Sequence, residues 1–184
     1  MAVTNSSDSI LKTGEATTEQ ALALFDSLDP VDLPFMFDRW RGSGLHTGHP
    51  LDGFLEATNW YGKEFVDADC VHPLLFSDGN GNIFKIKPNL ALMRLSVRSP
   101  LLKSQALLPM LRLTTPLFKT QQSQARLRMV EYRDRVSATM IYDCLPINDI
   151  FRRVDENTLL GLMDFKGVPQ PFFFVLRRDR QPLA

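Results

Sequence analysis

Apolar positions change spacing along this chain, first following a helix and later a strand. Thr17-x-x-Gln20 forms a capping box, and Ala21, Leu22, Leu24 and Phe25 fall on one helical face behind it. This predicts a helix that ends near Leu28. Asp29-Pro30 then sets a cap residue and a proline before a short second helix over Val31 to Leu33. The chain next extends through Trp40, where Gly42, Ser43 and Gly44 permit a bend or bulge. Pro50, directly after His49, opens a predicted helix that runs to about Tyr61.

From Val71 onward the spacing is that of strands. Leu74-Leu75-Phe76 and Ile83-Phe84-Lys85-Ile86-Lys87 flank Asp78-Gly79-Asn80-Gly81-Asn82, a hairpin loop in composition. Between residues 88 and 118 a Leu-rich run is interrupted by Pro88, Pro100, Pro109 and Pro116; within it Leu101 to Leu113 reads as an amphipathic helix over a barrel mouth or edge. Alternation resumes at Gln124, turns at Arg133-Asp134 and returns to Tyr142. After a polar break at Asp143 to Asn148 come Phe151 to Val154, Thr158 to Asp164, a turn at Lys166-Gly167-Val168-Pro169, and a last strand from Pro171 to Arg178. About eight strands with short turns and two or three inserted helices predict a mainly β fold: a closed or nearly closed antiparallel β-barrel, which removes exposed strand edges. Its parts are a mobile polar tail (1–16) and one barrel domain (17–184), made of halves at 17–90 and 119–184 with an insertion at 91–118.

Composition narrows the function classes. Lys plus Arg and Asp plus Glu each number 21, so no field of one sign draws the chain to nucleic acid or an anionic membrane. The longest strictly apolar run, Phe172 to Leu176, is far shorter than the roughly 20 residues of a membrane helix, and no membrane span is expected. Cys70 and Cys144 fit no zinc or redox spacing; they read as reduced thiols of a cytoplasmic protein.

Asp38-Arg39-Trp40-Arg41-Gly42, Thr47-Gly48-His49-Pro50-Leu51-Asp52-Gly53, Glu56-Ala57-x-x-Trp60-Tyr61-Gly62-Lys63 and Val71-His72-Pro73-Leu74-Leu75-Phe76 together resemble the GXWXG-domain family. Ala138-x-Met140-Ile141-Tyr142-Asp143-x-x-Pro146-Ile147-x-Asp149-x-Phe151, Gly161-x-Met163-Asp164 and Phe173-Phe174-x-Leu176-x-Arg178 resemble the domain of unknown function 4334 that commonly follows it. One departure stands out: Asp38 occupies the first Gly position of the eponymous pattern. The resemblance implies no settled activity. Its Trp signature is similar to that of calycin-type barrels, lipocalins and nitrobindins among them. In those, an Arg from the last strand closes over the Trp. That implies Trp40 and Arg178 (or Arg177) as a structural plug, with a cation–π contribution of about 0.5–2 kcal/mol.

Candidate chemistry is sparse. His46, His49 and His72 are the only histidines; Gly48 and Pro50 break the helix that would orient a His-x-x-His pair, so no metal and no haem or other cofactor is expected. His49 reads as a turn or pocket-lining group. Asp143 and Asp149 flank Pro146-Ile147 and read first as turn formers, second as an acid–base pair if buried together. Arg152-Arg153 and Arg177-Arg178 read as solvated strand ends, or in one case as the lid on the Trp, and Phe172-Phe173-Phe174 as core on both faces. No phosphate loop or nucleophile elbow is present. The expectation is a non-catalytic barrel holding a small hydrophobic or amphipathic molecule, lined by His49, Trp60, Tyr61, His72 and Tyr142. The alternative is an isomerase, cyclase or hydrolase using His49, His72, Asp143 or Asp149 in the same cavity. The Leu-rich insertion offers a face for a partner or for a second copy as a homodimer.

Overall fold

Eight antiparallel strands close on themselves around one apolar interior. The computed structural model describes residues 9–78, 80–98 and 114–180. In chain order these form α1 (Thr18–Ser27), β1 (Asp29–Pro30), α2 (Leu33–Met36), β2 (Asp38–Leu45), α3 (Phe54–Ala57), β3 (Trp60–Phe65), β4 (Val71–Ser77), β5 (Ile83–Lys85) and α4 (Leu90–Arg98). A 3-10 turn (Thr115–Phe118) precedes β6 (Ala125–Tyr132), β7 (Arg135–Tyr142), β8 (Ile147–Asp155), β9 (Thr158–Phe165) and β10 (Val168–Arg178). The circuit runs β8-β7-β6-β4-β3-β2-β10-β9 and returns to β8, which makes the expected closed barrel.

The wall is uneven. Strand β6 meets β7 along eight residue pairs, Ala125↔Tyr142 through Tyr132↔Arg135, across a hairpin whose Arg133 and Asp134 both take positive φ (52° and 59°). It meets β4 at Val71↔Ala125 alone. The rest of β4 pairs with β5, so the barrel splays between β4 and β6. β1 adds a short strap to the far end of β8, at Asp29↔Arg153 and Pro30↔Arg152.

Strand period sorts the apolar residues into two layers. Phe172, Phe174 and Leu176 point into the barrel with Phe151, Phe65, Leu127 and Met140. Phe173 and Val175 point outward with Ile150, Leu160 and Leu162, where Ala21, Leu24 and Phe25 of α1 cover them. α1 begins as its capping box dictates: the Gln20 N–H donates to Thr17 Oγ1 at 3.2 Å, and the Thr17 N–H to Gln20 Oε1 at 2.8 Å. The Phe triplet is thus core on both faces, as its composition suggested.

Several local expectations give way to tertiary context. Residues 9–13 form a helical turn with Ile10 buried, and Glu15 bridges His46, so 9–16 is docked on the barrel; residues 1–8 lie outside the described part. The second helix is Leu33–Met36 rather than Val31 to Leu33, because the Asp32 carboxylate caps the Phe35 N–H at 2.9 Å. The helix expected from Pro50 to Tyr61 shrinks to Phe54–Ala57, bounded by left-handed backbone at Gly53 (φ 76°) and Asn59 (φ 61°). Trp60 and Tyr61 therefore start a strand. Arg152, expected as a solvated strand end, is fully buried beneath α1 with its guanidinium 4.7 Å from the Phe25 ring centre. The helix expected over Leu101 to Leu113 lies outside the described residues; α4 stands immediately before it.

Candidate functional site

Trp40 enters the barrel interior from β2. The indole is fully buried, and its N–H donates to the Met36 carbonyl at 2.8 Å. The Arg178 guanidinium lies 4.3 Å from the ring centre. Arg178 is held there by Asp38 Oδ2 at 2.8 Å and by the Phe35 carbonyl at 3.1 Å. Strand register explains the meeting, since Arg178 is directly paired with Trp40 across β10 and β2. The residue that departs from the family pattern, Asp38, thus anchors the cation over the Trp.

Trp40 is also paired with Lys63 across β2 and β3. Simple alternation from Trp60 would turn Lys63 outward. The ladder between β3 and β4 slips on both sides of Gly62, whose φ of 151° is a conformation other residues avoid. The bulge resets the facing, so Trp60, Lys63 and Phe65 all enter the barrel while Tyr61 leaves it. Strand β3 stands diametrically opposite β8 in the circuit. Lys63 reaches across the lumen, and its Nζ lies 2.8 Å from Asp149 Oδ2. The ammonium also donates to the Pro73 carbonyl at 3.3 Å and contacts Tyr142 Oη at 3.5 Å. The rings of Trp60, Tyr142 and Phe174 surround it at 5.0–5.7 Å.

Above this pair is a cavity of about 130 Å³. Lys63, Asp149 and Tyr142 form its polar floor; Trp60, Leu74, Phe76, Met163, Phe172 and Phe174 form its apolar wall. Leu51, Phe54 and Leu55 close one side, while Ile86, Leu92, Met93 and Phe118 border it beside the β4–β6 splay. Burial pushes the Asp149 carboxyl above the usual carboxylate range, with the Lys63 charge working against that rise. Burial, and after it the Asp149 charge, raises the Tyr142 phenol well above its ordinary value, so the phenol keeps its proton.

The residues singled out in the sequence separate into three groups. Trp60, Tyr142 and Asp149 line the cavity together. His49 is buried at its edge, where Nδ1 accepts the Leu51 N–H at 3.0 Å and the ring packs on Phe172 with centres 5.3 Å apart; it organises the loop and is not a wall residue. Tyr61, His72 and Asp143 lie elsewhere. Tyr61 is on the outer face, donating to Asp179 Oδ2 at 2.6 Å. His72 faces Glu64 at 4.0 Å and Cys70 Sγ at 3.9 Å. Asp143 is exposed, 3.9 Å from Arg126. Asp149 is not a turn residue; it sits inside β8, 1% exposed. Lys63 carried no candidate role in the sequence, although the neighbouring strand glycine, Gly62, was the available sign of a bulge.

Among the described residues no helix is long and apolar enough to cross a membrane. Residues 23–81 match the family model described as GXWXG protein, and residues 123–178 match that of the domain of unknown function DUF4334. No curated protein matches the chain. A crystal structure of a protein from Thermomonospora curvata is 33% identical, with 96% of this chain and 99% of that one covered and a TM-score of 0.71. The chain belongs to the GXWXG family, with DUF4334 as its C-terminal half.

Proposed function

We propose that this barrel binds a small, mostly apolar molecule in its interior without covalent chemistry. The observation that carries the reading is an apolar cavity whose floor is a buried ion pair, Lys63–Asp149. Placing two charges inside a barrel costs several kcal/mol per ion, and apolar side chains of similar volume would fill the space at no such cost. Kinship with calycin-type barrels is supported by the Arg178 closure over Trp40. A volume of about 130 Å³ is close to that of a cavity of about 150 Å³ that takes benzene, so it encloses about six non-hydrogen atoms, and a longer tail would extend toward the β4–β6 splay. Trp60 and Tyr142 are its contacts; His49 supports the wall from behind. The free thiols of Cys70 and Cys144 support a reducing compartment such as the cytoplasm.

Native mass spectrometry of the full chain, purified without detergent, tests the reading. A bound small molecule that is lost on Trp60→Ala is the expected result. An empty protein that also takes up no apolar compound offered to it would remove the proposal.

A second reading, an acid–base enzyme, is favoured by one observation: a carboxyl raised by burial stands beside an ammonium in the cavity floor. Asp149 alone of the four acid–base candidates lies in that floor. Conversion of the co-purifying molecule on incubation, abolished in Asp149→Asn with binding retained, would establish the enzyme over the binder.

A further inference from the structure

We infer that the molecule held in the cavity is electrically neutral and carries a hydroxyl group, which it buries against Asp149 and Tyr142 rather than presenting to solvent. This deepens the binding reading above and rests on it. The floor has unused hydrogen-bonding capacity of both kinds. Asp149 spends Oδ2 on Lys63, while its Oδ1 is buried with no partner among the described residues. A buried carboxylate oxygen without a donor is costly, so a donor is the missing component. Tyr142 contacts the Lys63 ammonium through its oxygen, which leaves the phenolic proton to donate elsewhere. The Trp60 indole N–H is a second buried donor without a partner among the described residues.

Only a group that donates and accepts completes this set. A hydroxyl does so with one atom, giving its proton to Asp149 Oδ1 and accepting from Tyr142, whose oxygen and Asp149 flank the same ammonium. Charge selects in the same direction. Lys63 is already neutralised by Asp149 at 2.8 Å, so a carboxylate entering the floor would meet a second negative charge without a free cation. The exposed Lys87 stands at the rim, where it would hold an acid only with its head outward. An ether or alkane of equal size would leave Asp149 Oδ1 unpaired, and sites built for a hydroxyl discriminate strongly against its absence.

Calorimetric titration of the full chain with 1-octanol, its isomer 1-methoxyheptane and octanoate tests this. The expected result is octanol at least tenfold tighter than the ether, with octanoate weaker than octanol. In Tyr142→Phe octanol and ether both weaken severalfold, since either oxygen accepts from the phenol, and the octanol advantage, which rests on Asp149 Oδ1, is kept. In Lys63→Met/Asp149→Leu, which keeps the floor filled, octanol and ether bind within twofold of each other. Equal binding of octanol and ether to the unaltered protein overturns the inference and leaves the cavity reading standing. Octanoate binding tightest, and weakened by Lys87→Gln, overturns it in favour of a head-out acid. Binding of none of the three removes the cavity reading together with the inference.

Discussion

Lys63 Nζ and Asp149 Oδ2 meet at 2.8 Å across the full width of the barrel, from strands on opposite sides of the circuit, with side chains 4% and 1% exposed. The pair braces β3 against β8. Breaking it by Lys63→Met or Asp149→Leu alone leaves one buried charge unpaired and is expected to cost about 3–5 kcal/mol. The double substitution regains most of that loss, since neither charge then remains. Urea unfolding of the four proteins gives the cycle; additive losses in the double variant would show that the two groups are not coupled.

Arg178 over Trp40 makes a second prediction. Arg178→Lys keeps the charge but gives up the planar stack and the two-point hold on Asp38 and the Phe35 carbonyl. It should lower stability by about 1 kcal/mol, and Arg178→Ala by about 2. Asp38→Gly, which restores the eponymous family residue, removes a half-exposed ion pair and should cost less than about 1 kcal/mol. Thermal unfolding followed by Trp fluorescence orders the three; an Arg178→Ala protein as stable as the parent would dismiss the plug.

Two glycines next to these residues should respond differently to a methyl group. A Cβ on Gly62 would stand 1.9 Å from the Trp40 carbonyl oxygen, and backbone cannot yield there. Gly62→Ala is expected to cost about 3 kcal/mol or more, or to prevent folding. A Cβ on Gly42 would stand 2.1 Å from the outer edge of the Trp60 ring, a side chain that can move. Gly42→Ala should fold, shift Trp60 emission and weaken octanol binding by displacing the ring into the cavity. Wild-type affinity in Gly42→Ala would argue that Trp60 is not a binding wall.

His72 gives the fold a pH dependence. Burial first, and then the Lys85 charge, holds its imidazole below the ordinary value near 6.5, so the folded protein resists protonation that the unfolded chain accepts. The unfolded state therefore binds more protons as pH falls through that value, and stability declines as pH drops below about 6.5. His72→Gln should flatten this decline. Asp149 acts in the opposite sense: its raised carboxyl value makes stability fall as pH rises from about 4 toward that value. Because Asp149 is present in both proteins, the difference between their urea midpoints across pH isolates His72. Parallel pH curves for parent and variant would contradict the assignment.

How much of this was visible beforehand follows from the range of each interaction. The capping box of α1, the two-residue turn at Arg133-Asp134 and the double-faced Phe triplet are local, and each formed as its residues indicated. The Trp60-Tyr61 pair failed as a helix because Asn59, in a left-handed conformation, ended the turn and the strand ladder claimed what followed. Arg152 failed as a solvated end because α1, distant in sequence, folds over it.

Sequence alone determined that this chain closes into a β-barrel, since period and turns are properties of neighbouring residues; that Arg178 or Arg177 would reach Trp40 came only from the resemblance to calycin-type barrels. It also named Tyr142 as lining and Asp149 as the acid–base alternative for one cavity, without a partner for the carboxyl. Tertiary structure alone decided that Lys63 belongs with them: the slip at Gly62 inverts which side chains enter the barrel, and only closure brings β3 opposite β8. A one-residue bulge is locally cheap but reverses every facing beyond it, so the chemistry of the floor is set by a register that no short stretch of sequence specifies.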